Sequence, residues 1–460
     1  VLETIDTAKV LRRALAAGGD FADIYFEDLA FTTVACEDGK VERVIAASEQ
    51  GVGIRVVSDF STAYAYTNQL TEEALLELAE TVSRGVRGGL VHGDFNLGRQ
   101  VTGQGHPIAI APDQVPLVEK VALVTRADRA ARGFDPRIRQ VMAMYRDTKT
   151  LTQVVNSLGE FHGDLITATL FTVQVVAQDG SVTQTGYEPL GAERGLELFE
   201  QASPEELAEK AARRGVMMLT ARKAPGGSMP VVLSSEAGGT MVHEAIGHGL
   251  EADLVQSGVS VYRGRLGQQV ASELVTVVDD ATIPYARGSF AFDSEGSPAQ
   301  RTVLVEDGVL KGYMYDRLTA MRDGCASTGN GRRESYRHRP IVRMTNTLIA
   351  PGKSSPEEIV AGVANGLFVK KMGGGQVNTV SGDFVFEVSE GYLIEDGCVG
   401  EPVRGATLTG NGPEVLAKIT MVGNDLGYAI GTCGKDGQGV PVADAQPTLL
   451  ISGITVGGAA

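Results

Sequence analysis

Two histidines five positions apart, with a glutamate directly after the first, constrain this chain more than any other feature. They are His243 and His248 in the run His-Glu-Ala-Ile-Gly-His-Gly-Leu-Glu. Paired imidazoles beside a carboxylate are what a zinc hydrolase needs: the rings hold the ion, and Glu244 lies close enough to take a proton from the attacking water. The usual spacing for this chemistry places the histidines four apart. At about 100° per residue, four residues separate two side chains by roughly 40° around a helix, and five by roughly 140°. The rings can share one ion only if the helix is widened or broken between them. A single π-type turn inserts the missing residue, and such bulges are found mostly at functional sites. Gly247 and Gly249 flank His248 and are expected to ease the distortion, because glycine tolerates unusual backbone angles. The competing reading is a regular amphipathic helix with two unrelated histidines. With only six histidines in the chain, two beside one glutamate weigh against it.

The length of 460 residues exceeds one ordinary core, so two or three domains are expected. Charged residues make up 21% and hydrophobic residues 43%, the balance of a globular chain. A formal charge of −16 argues against nucleic acid and anionic membranes as partners, since both would repel it. No apolar run approaches the roughly 18 residues that span a bilayer. The opening Val-Leu-Glu-Thr-Ile-Asp-Thr-Ala lacks the pattern of a secretion signal, and it lacks an initiator Met, so a trimmed upstream segment is expected. Cys36, Cys325, Cys398 and Cys433 are scattered, the pattern of a reduced cytoplasmic protein with free thiols. Such a thiol is also available as a metal ligand.

The patterning predicts an α+β fold: N-terminal units of mixed sheets with helices, then a glycine-rich, mostly-β C-terminal domain carrying the histidine helix. The first unit, 1–85, opens with a helix whose apolar face is Val10, Leu11, Ala14 and Leu15. Alternating strands follow, and a helix from Thr71 to about Ser83 closes it. Residues 86–112, rich in Gly, His and Pro, read as a linker. The middle unit, 113–224, begins with a helix near Asp113 and continues in strands at 138–147, 150–156 and 165–177. Ser203-Pro204-Glu205-Glu206 starts a further helix with a capping box and a proline at its first position. Ala224-Pro225-Gly226-Gly227 marks the main boundary. In the last unit, 225–460, the histidine helix starts at the end of a strand, and Glu306-Asp307-Gly308 and Glu395-Asp396-Gly397 are hairpin turns. Ser355-Pro356-Glu357-Glu358 starts a short helix.

A hydrolytic zinc site usually takes three protein ligands. The candidates for the third are Glu251, Asp253, His338 and Cys433. Glu251, three residues past His248, is equally suited to orienting a histidine ring. Cys433 lies in a glycine loop, Gly-Thr-Cys-Gly-Lys-Asp-Gly-Gln, where Lys435 is expected to favour the thiolate. From the residues alone these alternatives stay open.

The segment from Met229 to about Gly457 resembles the TldD/PmbA family of modulators of DNA gyrase, on its motif-bearing side. The resemblance is carried by 243–251 and by Val-Val-Asp-Asp at 277–280. It continues in Thr-Gly-Asn-Gly-Arg-Arg-Glu-Ser-Tyr at 328–336, Gly-Gly-Gly-Gln-Val at 373–377, Met-Val-Gly-Asn-Asp at 421–425 and Cys-Gly-Lys-Asp-Gly-Gln at 433–438. It implies Zn²⁺ held by His243, His248 and Cys433, with Glu244 as catalytic base. It further implies peptidase action on small or unfolded peptides in a cavity between two subunits, the peptide adding as a strand to a sheet edge. The partner would be an identical chain or a motif-free TldE/PmbA-like subunit. His338, Tyr336 and Arg333 are candidates for stabilising the oxyanion, with His338 the catalytic choice. Two other readings compete: a non-catalytic peptide-binding or scaffold subunit of a dimer, and Cys433 acting as a nucleophile. Gly373-Gly374-Gly375 lacks the Lys-Ser/Thr of a phosphate loop and reads as close strand packing or a substrate-edge turn.

Overall fold

The structure is a computed structural model describing residues 2–86, 98, 101–103 and 105–458. The α+β expectation holds: helices cover a long N-terminal sheet, and the C-terminal half is mostly β. Of the segment read as a linker, 87–97, 99–100 and 104 lie outside the described residues. Within it, Val101–Thr102 pairs in parallel with His162 and Gly163.

Local signals in the sequence set the helix starts. Thr71 caps Glu72–Arg84 by accepting the Ala74 N–H. Ser203 and Ser355 close full capping boxes onto Glu206 and Glu358, starting Pro204–Thr220 and Pro356–Ala361. The middle helix runs Leu117–Phe134, four residues later than Asp113, because Pro112–Gln114 forms a separate 3-10 turn.

The strands are longer and more joined than their patterns indicate. Ile138–Asn156 is one strand, not two. Its polar centre is accommodated because buried Asp147 meets the Lys120 ammonium at 2.6 Å. Phe21–Glu37 pairs antiparallel with that strand over its length. Strands from 1–85 and 113–224 therefore lie in one seven-stranded sheet. Two cores sit on it, one built around Leu11, Ile24, Phe26 and Leu75, the other around Val124, Tyr145, Phe171 and Ala211.

In the C-terminal half, Asn365–Val377, Gly227–Leu233, Leu449–Gly457, Thr407–Asn411 and Asp383–Glu395 pair in turn, and the last pairs back to the first. The ring is thereby closed. A six-stranded sheet ends in Thr347–Ile349, Gln438–Gln446 and, at its edge, Gly427–Lys435. Both expected hairpin turns are present: Asp307 and Gly308, like Asp396 and Gly397, take positive φ at both central positions. One large core joins the ring to the histidine helix through Val242, Ala245, Ile246 and Leu250. Two elements thus converge on one place: the helix following Gly227–Leu233, and the edge hairpin.

Candidate metal centre

The histidine helix is not regular. After Thr240–Val242 it widens into a π turn over His243–Gly247 and tightens into a 3-10 turn over His248–Leu250. The His248 N–H donates to the His243 carbonyl, five residues back, which is the π-type bond the spacing requires. The two rings stand at 90° with centroids 4.9 Å apart.

Gly247 has a different role from the one expected. Its φ of −53° and ψ of −59° are ordinary helical angles, so backbone freedom is not what the site uses. A Cβ there would lie 2.2 Å from the Met344 sulfur; glycine is needed for room. Gly247→Ala should destabilise the fold by about 1–3 kcal/mol, read by denaturant unfolding, as overpacking displaces Met344 or the turn.

Cys433 arrives from the edge hairpin. Its Sγ lies 3.5 Å from His248 Nε2, and the three side-chain donors of His243, His248 and Cys433 fall within 4.8 Å of one another. Two imidazole nitrogens and one sulfur, nearly buried, make a borderline-soft donor set that fits Zn²⁺. Each ring is held from behind. His243 Nδ1 meets Asp444 Oδ1 at 2.9 Å, and His248 Nδ1 meets Glu251 Oε2 at 3.0 Å. A carboxylate on Nδ1 keeps the proton there and leaves the Nε2 lone pair free for a metal. Glu251 is thus an orienting group. It is completely buried and is itself held by Lys435 Nζ at 3.1 Å. Glu251→Gln should weaken zinc binding about 10–100-fold, measured by competition with a chelator.

The charges follow this geometry. Burial opposes the Cys433 thiolate, but hydrogen bonds from both imidazoles outweigh it and bring the thiol to about 5. Burial likewise disfavours a charged His248, yet Glu251 and the sulfur raise it to about 10. For Glu251, burial is overcome by Lys435 and His248, and its carboxyl falls to about 2. Burial pushes Glu244 above the usual carboxylate range, against the pull of the two rings. Lys435 does not serve the thiol directly as expected: its ammonium binds Glu251, Asp253 at 2.7 Å and the Val342 carbonyl. Asp253 is accordingly a partner of Lys435 and stands outside the donor set.

A cavity of about 610 Å³ opens over the donors, with Glu244 in its wall. Its sides are Gly374–Val377 from one strand and Ala429–Lys435 from the edge strand. A Cβ at Gly375 would sit 1.9 Å from the Phe386 ring and one at Gly373 2.9 Å from Ser389 Oγ, which is close packing at the two ends of the glycine run, while a Cβ at Gly374 would meet nothing within 4 Å. The oxyanion candidates are elsewhere. His338 Nδ1 lies 3.1 Å from Ser335 Oγ; the Tyr336 hydroxyl donates to Glu49; Arg333 stacks 4.1 Å over Tyr25. None of the three lines the metal cavity.

Sequence reasoning did not find Asp444 or Arg343. Asp444 lies on the strand opposite Ala429, with no motif around it. Fully buried Arg343 donates to the backbone carbonyls of Cys433 and Gln438, bracing the two strands of the hairpin that carries the thiol.

Comparison with known proteins decides the family. Models of the PmbA/TldA metallopeptidase domain 1, central domain and C-terminal domain match residues 22–85, 110–219 and 226–458. The chain belongs to this metallopeptidase family. The metalloprotease TldD homolog of Haemophilus influenzae is 39% identical, covering 95% of this chain and 93% of its own. A metalloprotease of Methanothermobacter thermautotrophicus is 36% identical over 95% of this chain and 96% of its own. A Saccharolobus solfataricus relative named a zinc metalloprotease TldD homolog is 28% identical, covering 98% and 99%. In structure, TldE from Thermococcus kodakarensis aligns with a TM-score of 0.76 at 20% identity, covering 98% of this chain and all of that one, which speaks to the shared fold. Among the described residues, no helix of this family member is long and apolar enough to cross a membrane.

Proposed function

We propose that the chain is a zinc-dependent peptidase of the His-Glu-x-x-x-His type that cleaves small or unfolded peptides, with zinc held by His243, His248 and Cys433. The observation that carries this reading is the convergence of those three donors beneath a cavity whose wall includes Glu244. When bound, the zinc supplies Lewis-acid polarisation and makes water a nucleophile near neutral pH. Glu244 takes the proton of the attacking water and delivers a proton to the leaving amine; a carboxyl raised by burial is matched to that exchange. Asp444 and Glu251 hold the rings in place throughout.

The sheet edge at Gly427–Lys435 offers backbone donors and acceptors along the cavity, so an extended peptide can add as a further strand beside the donors. Recognition through the backbone suits low sequence selectivity. His338, being outside this cavity, has a place in catalysis only if a second subunit completes the site. A dimer with an identical chain or a motif-free TldE/PmbA-like subunit, in the cytoplasm, fits this reading. Release of a fluorescent group from a quenched peptide, lost on chelation and regained with added zinc, tests the activity. Full turnover in excess chelator would overturn it.

A further inference from the structure

A second cavity, of about 450 Å³, lies between the seven-stranded sheet and the C-terminal domain. Its volume is in the range of small-ligand sites. The two cavities sit back to back: Thr432 is in the wall of both, next to Cys433. Arg146, Thr148, Thr150 and Thr152 line the new cavity from one strand. Alternate residues of a strand share a face, so they form a row of three hydroxyls ending in a guanidinium. At about 3.3 Å per residue the row is roughly 20 Å long. Arg287 and Arg332 face it from the C-terminal domain.

The charges in this cavity are unevenly satisfied. Its carboxylates have donors. Glu27 accepts the Tyr25 hydroxyl at 2.9 Å, and Glu334 accepts the Gly439 N–H at 2.6 Å. Asp293 accepts three backbone N–H groups, from Glu295, Ser297 and Gly331. Glu193 lies 3.5 Å from His106, and burial pushes its carboxyl well above the usual range, towards the neutral form. Of the cavity's four arginines, Arg333 reaches Asp23 at 3.8 Å, and the other three have no such counterpart. Among the described residues no carboxylate comes within ion-pair distance of Arg146 or Arg287; Arg146 only stacks 5.3 Å from the Phe31 centroid. Arg332 donates to the carbonyls of Met344 and Pro441 and to no carboxylate. Burial pushes the Arg287 guanidinium below its ordinary value, and the Arg146 charge acts in the same direction.

We propose that this cavity binds the terminal carboxylate of a short extended peptide, with Arg146 and Arg287 receiving the anion and the threonine row facing the peptide backbone. Guanidinium groups match a carboxylate in charge and in bidentate geometry. A length of about 20 Å holds roughly six extended residues. The inference goes beyond the peptidase reading and does not rest on it, since none of these arginines lines the metal cavity.

The test is calorimetric titration of full-length Glu244→Gln protein with an acetylated hexapeptide carrying either a free C-terminal carboxylate or an amide. The free acid should bind at least tenfold tighter. The Arg146→Met/Arg287→Met variant should lose that preference, and Arg287→Gln alone should reduce it. Neither arginine makes an ion pair whose loss would unfold the chain. Equal affinity for acid and amide, or a preference that survives the double substitution, overturns the proposal. Succinate binding as tightly as the hexapeptide acid overturns the assignment to a peptide end. A chain without zinc should show the same preference, which separates this outcome from failure of the peptidase reading.

Discussion

Glu244→Ala should leave zinc content unchanged and lower peptide turnover by about 10²–10⁴-fold, the range general acid–base catalysis supplies. The carboxylate is not among the three clustered donors, so removing it should not loosen the ion. It lines the cavity and titrates above the ordinary carboxylate range, as a group that must both take and return a proton requires. Metal analysis paired with the quenched-peptide assay reads both halves. Undiminished turnover would remove Glu244 as the base. Lost zinc would make it a ligand instead.

Cys433→Ala should strip the zinc. Structural zinc sites bind with roughly 10–16 kcal/mol, so one of three ligands corresponds to about 3–5 kcal/mol, or on the order of 10²–10⁴-fold in affinity. The substitution is small and sits at the edge of a core, so folding should survive it. The unaltered protein addresses the nucleophile reading, because a thiol brought to about 5 by two imidazoles is reactive when no metal covers it. If the thiolate is a ligand, zinc-loaded protein should resist alkylation and alkylation should proceed once zinc is removed. Rapid inactivation of the zinc-loaded protein by a thiol reagent would favour the nucleophile.

The part of the site within one helix was legible in the sequence, because helical geometry leaves little freedom. A five-residue separation cannot bring two rings together on a regular helix, so a widened or broken turn such as the one at His243–Gly247 follows once the two rings are taken to share an ion. Glu251 was legible as a neighbour of His248, one turn beyond it, but whether it binds the metal or orients the ring was settled only by the structure. Cys433 was different: its approach depends on a hairpin 185 residues away from His248, so the residues made it one of four candidates and the ordered family motifs singled it out. Asp444 carries no such signal, since a lone aspartate in an apolar strand looks like any other until the strand is paired. The single N-terminal sheet was hidden for a related reason. Its join is between 21–37 and 138–156, and periodicity reports which face a strand buries but not its neighbour. Gly247 and Lys435 were placed correctly in the site and misread in role. Packing against Met344, and competition from two carboxylates for one ammonium, are properties of the assembled structure.

The most direct test of the metal centre is zinc K-edge X-ray absorption on purified protein. The account predicts one sulfur at about 2.3 Å and two imidazole nitrogens at about 2.0–2.1 Å. A zinc coordinated only by nitrogen and oxygen in the unaltered chain would contradict it.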